Sequence, residues 1–217
     1  MISMKGNTVM PILVICDDRW HPAQTVRSGL EPLAAAGLQF DFFTDAAQGL
    51  PVPLSGYPAI LFAKSNNVSA ADETPWMLPP VEMALRAYVQ EGGRLAAVHS
   101  GSAGYQQTPI LRALLGGVFV HHPEQCPVTV EPLPGHALSA GLTPFTAADE
   151  HYHMVVDDPA VDVFLRSVSA HGAQPAGWTR RQGAGTVCML TPGHNLPVWL
   201  EPTFQALIQR ALTADLG

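Results

Sequence analysis

The chain has 217 residues and a formal net charge of −7, with 47% hydrophobic and 13% charged side chains. That length buries a full core without staples, and the acidic balance, with no basic cluster beyond Arg180–Arg181, excludes a nucleic-acid footprint and disfavours a basic membrane-surface helix. No stretch approaches the roughly 20 apolar residues of a membrane span, and the separated cysteines Cys16, Cys126 and Cys188 form neither a disulfide framework nor a Cys-x-x-Cys thiolate site.

This cysteine usage fits a reducing, cytoplasmic compartment. The opening MISMKGNTVMPILVIC has a short apolar run and no small-residue cleavage site, so it reads as leading into a buried strand rather than as a signal peptide. The charged fraction is low against an average of about 25%, and a homo-oligomer is one reading of that.

Pro11–Cys16 is an unbroken apolar run ending in Asp17-Asp18, the pattern of a parallel strand buried on both faces. Val26, Leu30 and Leu33 predict a helix within Thr25–Ala36, kinked or divided at Pro32 and ended by Gly37. Gln39–Thr44 and Ala59–Lys64 are the second and third strands. Pro79-Pro80 opens a helix with Val81, Leu85, Tyr88 and Val89 on one face, and Gly92-Gly93 closes it. Arg94–Val98 is the fourth strand and runs straight into His99-Ser100-Gly101-Ser102; a short helix, Pro109–Leu115, follows.

Apolar strands separated by amphipathic helices predict an α/β fold, a doubly wound, mostly parallel sheet with helices on both faces. Beyond Val118 the strands become half-buried and alternating: Pro127–Leu133, Phe164–Ser169, Gly177–Arg181 and Thr186–Leu190, with Gln182–Gly185 as a hairpin turn. The C-terminal half therefore adds antiparallel strands, as a sheet extension or a small flap. Phe204, Leu207, Ile208, Ala211 and Leu212 mark a terminal helix. No internal repeat or low-complexity segment appears, and 1–217 is read as one domain.

Ligands of open α/β sheets bind beyond the carboxyl ends of the strands. The most informative such end is His99-Ser100-Gly101-Ser102-Ala103-Gly104, where a sharp turn of small residues exposes one side chain and aims N–H groups at it. Ser102 sits in a G-x-S-x-G pattern whose first glycine is Ser100. With Glu150 and His194 it repeats the chain order of an α/β-hydrolase triad, so a serine hydrolase is one reading. The plainer alternative is a set of small residues that let helix and strand pack closely.

Nine histidines is a high count, and six lie at loop-like positions, five of them directly beside Gly or Pro: His21, His99 (which follows Val98), His122, His136, His171 and His194. One histidine alone is more often a cap or surface residue; several at strand ends together suggest a site. In Asp149-Glu150-His151-Tyr152-His153, a strand would put Glu150 and Tyr152 on one face and His151 and His153 on the other. The first face offers a carboxylate and a phenol to a sugar-like ligand, and the second an H-x-H metal pair. Whether His121, His151 or His153 joins the site stays open.

A spread of motifs now carries a resemblance. Glu91-Gly92-Gly93-Arg94 leads to Ala97-Val98-His99-Ser100; Leu115-Gly116-Gly117-Val118-Phe119 is followed by His122-Pro123; Gly135-His136 precedes Ala140-Gly141-Leu142 and Asp149-Glu150-His151-Tyr152. Pro175-Ala176-Gly177-Trp178, Gly183-Ala184-Gly185-Thr186-Val187 and Gly193-His194 complete the series, and Asp17-Asp18-Arg19-Trp20-His21-Pro22 matches the first loop. In this order and spacing the chain resembles the ThuA-like family, named for trehalose utilisation, of the class I glutamine amidotransferase-like superfamily. Those amidotransferases carry a nucleophilic Cys where this chain has His99, so glutaminase chemistry is not expected. His153 and the doubled His121-His122 depart from the family pattern.

The resemblance implies a flavodoxin-like core and a pocket of His21, His99, His122, Glu150 and His194. It suggests a carbohydrate enzyme acting on trehalose or a related keto-sugar, with His99, Glu150 and His194 catalytic and Trp20, His21, Ser100, Tyr152 and Trp178 binding substrate. A divalent metal, zinc first, fits His99, His122 and His194; no nucleotide or flavin signal is present. The rival reading is a non-catalytic ligand-binding or regulatory protein on an amidotransferase-like shell.

Overall fold

The computed structural model describes residues 10–214. Residues 1–9, the start of the segment read as leading into the first strand, therefore lie outside the described residues.

Strand β1 (Ile12–Cys16) is followed by helix α1 (Ala23–Ala35) and strands β2 (Phe40–Phe43) and β3 (Ala59–Ala63). Helix α2 (Pro79–Gln90), strand β4 (Arg94–Val98) and helix α3 (Pro109–Leu115) complete the first half. The second half holds β5 (Gly117–His121), β6 (Cys126–Pro132), β7 (Phe145–Asp149), β8 (His153–Val156), β9 (Asp162–Ser169), β10 (Gly172–Gln182) and β11 (Gly185–Leu190). Helices α4 (Leu196–Leu200) and α5 (Pro202–Thr213) follow.

One nine-stranded sheet runs β2-β1-β3-β4-β11-β10-β9-β6-β7. From β2 to β11 the pairs are parallel, and from β11 to β7 they are antiparallel. The parallel part has the flavodoxin-like order, with a change of direction beside β1 where ligand crevices form. Strands β5 and β8 pair separately as a two-stranded sheet, so the antiparallel additions make both an extension and a flap.

The strand pattern explains the layers. Along β1, Ile12, Val14 and Cys16 enter one core while Leu13 and Ile15 enter the other; β3 and β4 alternate in the same way. The first core is closed by Val26, Leu30 and Leu33 of α1 and by Phe204, Leu207 and Ile208 of α5, the second by Leu85 and Val89 of α2 and Leu111, Leu114 and Leu115 of α3. Pro32 does not divide α1, which is one continuous helix across it. The hairpin turn is Gly183-Ala184 between paired Gln182 and Gly185.

Candidate functional site

The loops after β1, β4 and β11 and the β7–β8 connection meet over the carboxyl end of the parallel strands. His99 follows β4 in a single 3-10 turn over His99–Ser102 and has φ +46°. Asp17, after β1, has φ +76°. Left-handed backbone at non-glycine residues costs on the order of 1–3 kcal/mol and persists only where its surroundings enforce it. Here packing enforces it: a Cβ on Gly101 would lie 2.0 Å from the Phe62 carbonyl oxygen, so glycine lets the His99 turn sit on β3.

Two rings of the site are gripped from behind, and the loop of a third is tied down. His21 Nδ1 meets Asp18 Oδ1 at 2.7 Å. His99 Nδ1 meets the Thr191 carbonyl at 2.8 Å. The loop bearing His194 is tied by Asp149, whose carboxylate accepts the Gly193 and His194 N–H groups at 2.9 Å each. Trp199 adds a bond from Nε1 to the Gly193 carbonyl at 2.7 Å.

Glu150 stands at the centre. Its carboxylate lies 3.3 Å from His99 Nε2, 3.2 Å from His194 Nδ1 and 3.5 Å from His122 Nε2. The His21 ring packs edge-on against His99 and His194, with centroids 4.9 and 5.0 Å away. One donor atom from each of His21, His99, Glu150 and His194 falls within 4.8 Å of the others. His21 Nε2, His99 Nε2 and His194 Nδ1 are buried, and no protein group completes a hydrogen bond with them. Buried unpaired polar atoms are rare and mark sites that take a ligand or ion, so this cluster can hold a metal.

The electrostatics follow from burial and pairing. Burial raises the Glu150 carboxyl, but the His194 and His99 rings outweigh it and hold the group well below the usual carboxylate range. Burial likewise opposes ionisation of Asp18, and the His21 ring with the Ser65 and Trp20 N–H groups brings it down to about 2. Burial lowers His21, whereas the Glu150 carboxylate raises His194. Burial, with Glu150 adding to it, lifts the Tyr152 phenol well above its ordinary value, so it stays a proton donor. The Tyr152 ring stacks on His99 at 4.0 Å, with Phe119 on it at 4.0 Å.

These groups open into a cavity of about 700 Å³. His21, Glu150, Tyr152 and His194 line its floor, and Trp20, 66% exposed, stands at its rim beside Arg19, which is paired with Glu73. Other expected residues fall elsewhere. Ser100 is buried in the turn and does not line the cavity. Trp178 is a correction: it is fully buried on β10, its Nε1 donates to the Leu115 carbonyl at 2.8 Å, and it packs the core rather than a ligand.

His122, expected with His99 and His194, lies outside the group whose donor atoms converge, with Nδ1 2.7 Å from the Pro123 carbonyl, and that group includes His21. Ser102 is buried and its Oγ donates to the His99 carbonyl at 2.9 Å; no hydrogen bond joins it to Glu150 or His194, so the serine triad does not assemble. His136 stacks on Phe164. The expected strand through 149–153 is broken between β7 and β8, yet His151 still faces away, between Ser167 and Ser169, and His153 stacks on His121. Burial pushes the Cys16 thiol up to about 12, which leaves no thiolate near the site. Asp18, Asp149 and Phe119 were not expected; the acidic pair ending β1 was the available signal for Asp18.

A flavodoxin-like sheet carrying a buried His/Glu centre at its ligand-binding end defines the class. The family model described as trehalose utilisation, ThuA, matches residues 12–213, and the chain belongs to the ThuA family. It resembles the solved structure of a ThuA-like protein from Parabacteroides merdae at 17% identity and TM-score 0.74, over 95% of this chain and 91% of that one. A ThuA-like protein from Bacteroides uniformis matches at 19% identity and TM-score 0.71, over 97% and 93%. A cytoplasmic protein from Salmonella typhimurium matches at 15% identity and TM-score 0.67, over 93% and 97%. No curated protein matches the chain.

Proposed function

We propose that this chain is a sugar-active enzyme of cytoplasmic carbohydrate metabolism that acts on trehalose or a related keto-sugar through His99, Glu150 and His194. The observation that carries the reading is the convergence of unpaired, buried imidazole nitrogens on one carboxylate at the floor of a cavity. The family description points to sugar as the substrate class, and the absence of any helix long and apolar enough to cross a membrane among the described residues is consistent with the compartment.

The donor set fits a zinc-type divalent ion. His21 Nε2, His99 Nε2 and His194 Nδ1 would hold it, with Glu150 beside them. His21 and His99 have their other ring nitrogens already engaged, as metal-binding imidazoles require. When bound, such an ion polarises a carbonyl or hydroxyl oxygen.

The chain's own groups supply the rest. Glu150, kept ionised, accepts a proton from the sugar or from an attacking water and returns it to the departing or rearranging oxygen. Hydrolysis, elimination and isomerisation all need that exchange. Tyr152, kept protonated, donates a hydrogen bond to a sugar oxygen, and Trp20 presents its face to a ring at the rim.

The first measurement is the metal content of protein purified without a His-tag or added metal, together with turnover of a panel of disaccharides and keto-sugars. Near-stoichiometric zinc is expected, lost with turnover in folded His99→Ala and His194→Ala. Protein that carries no metal and binds no member of the panel by calorimetry would sink the reading.

A further inference from the structure

Asp18 is fully buried and accepts hydrogen bonds from four directions. Its Oδ1 takes the Trp20 N–H at 2.9 Å, the His21 N–H at 3.0 Å and His21 Nδ1 at 2.7 Å, and its Oδ2 takes the Ser65 N–H at 2.9 Å. A carboxylate in this setting is an acceptor only, so the hydrogen of the His21 ring must sit on Nδ1. In the neutral ring the lone pair is then on Nε2. That nitrogen is buried without a partner and belongs to the group that converges with His99, His194 and Glu150.

The rest of the loop keeps this arrangement rigid. Asp17 holds the start of α1 through the Ala23 N–H at 2.9 Å, and the buried Lys64 ammonium donates to the Asp17 carbonyl. His99 is oriented by a neutral carbonyl, that of Thr191. His21 is oriented by a full charge, which both fixes the ring and makes Nε2 a better electron-pair donor.

We propose that Asp18 is a positioning residue that commits His21 Nε2, as an electron-pair donor, to the His99–His194 centre, where it takes a share of a divalent cation. The proposal rests on the zinc-type reading of the site given above. Asp18 touches neither cation nor sugar; it acts through one ring. Its removal therefore matters only while that ring is present.

The test is a zinc titration by chelator competition on the full-length, untagged protein, in wild type, Asp18→Ala, His21→Ala and the double variant. Asp18→Ala is expected to weaken zinc by about 10–100-fold and His21→Ala by at least as much. The double variant should bind as His21→Ala does, because the effects share one route. Asp18→Asn, which can leave a neutral oxygen facing Nδ1, should fall between wild type and Asp18→Ala, and it replaces Asp18→Ala in the cycle if the latter does not fold.

Wild-type affinity in the Asp18 variants, or an equal further loss in the His21→Ala background, overturns the proposal. A folded wild type that takes up no zinc removes the metal reading and the cation half of the proposal with it. Nitrogen-15 NMR of the metal-free protein then decides the positioning half. An Nδ1–H tautomer at His21 that loses its preference in Asp18→Ala supports it, and an Nε2–H tautomer in wild type overturns it.

Discussion

His99 Nε2 and a Glu150 oxygen face each other across 3.3 Å without the geometry of a hydrogen bond, and the Thr191 carbonyl, an acceptor only, holds the ring hydrogen on Nδ1. Two electron pairs opposed in a buried site suit a cation or a proton between them. His194 takes up part of the conflict, since the Glu150 carboxylate raises it. A histidine raised on folding contributes stability fully below its unfolded value of about 6.5, and the contribution is lost as the pH rises through the folded value. Glu150→Gln is therefore expected to melt below metal-free wild type at pH 6, by on the order of 2–4 °C. The gap should close as the pH passes the folded His194 value, where a Gln amide can instead give His99 Nε2 a donor. A melting series from pH 5.5 to 9 checks this, and a pH-independent gap would refute it. Turnover in the same variant should drop about 10²–10⁴-fold. The residues of the His/Glu cluster were legible because strand ends and side-chain chemistry both mark them. Their supports were less so: Asp149 grips a loop 44 residues further on, and Thr191 serves through a backbone oxygen that any residue could present. Trp178 misled because an aromatic beside a motif reads the same in sequence whether it faces the cavity or, as here, the core.

At the scale of elements, the site depends on how closely the His99–Ser102 turn approaches β3. Gly101 has no room for a side chain, since an added Cβ would sit 2.0 Å from the Phe62 carbonyl oxygen, a backbone atom that cannot swing away. Gly101→Ala must push the turn off the sheet, and overpacking of this kind costs about 1–3 kcal/mol or more. The expected result is a folded protein with a melting point lowered by several degrees and with zinc affinity reduced in parallel, because His99 moves with the turn. Unchanged affinity in a destabilised Gly101→Ala would mean that the turn does not set the centre. The parallel half of the fold was readable because buried central strands leave unbroken apolar runs such as PILVIC and AILFA. Strands β5, β7 and β8 and helix α4 escaped notice. FTAAD and HMVV are short; FTAAD alternates in burial, but its inward positions after Phe145 are Ala147 and Asp149, so no apolar alternation marks it in sequence, and HMVV does not alternate regularly in burial. The break between β7 and β8 falls inside the Glu150 motif, where a continuous strand was the simpler reading.

Across the whole molecule, several histidines titrate against the fold. Burial lowers His21, His151 and His153, with neighbouring histidine rings lowering each further. A histidine lowered on folding is bound by protons first in the unfolded chain, so its stabilisation is complete above about 6.5 and declines as the pH falls below it. His194 has the opposite sign and acts alone on its side among these groups. Asp18, lowered to about 2 from 3.8, adds a further loss only as the pH falls below its unfolded value. The net expectation is a melting temperature that falls from pH 6.5 to 5. His151 is the group through which this reaches the site: fully buried, it bonds Ser169 Oγ at 2.6 Å and Ser167 Oγ at 3.1 Å on β9, and it adjoins Glu150 in the chain. A charged ring must be accommodated between two hydroxyls and beside His153, 5.3 Å away, so acid loosens the connection that carries the carboxylate. His151→Gln keeps hydrogen-bonding capacity and removes the titration. It should lower the melting point at pH 7.5 but flatten the decline between pH 6.5 and 5, as calorimetry at constant ionic strength would show. A variant whose decline matches wild type would assign the acid sensitivity to His21 and His153 and detach it from the Glu150 connection.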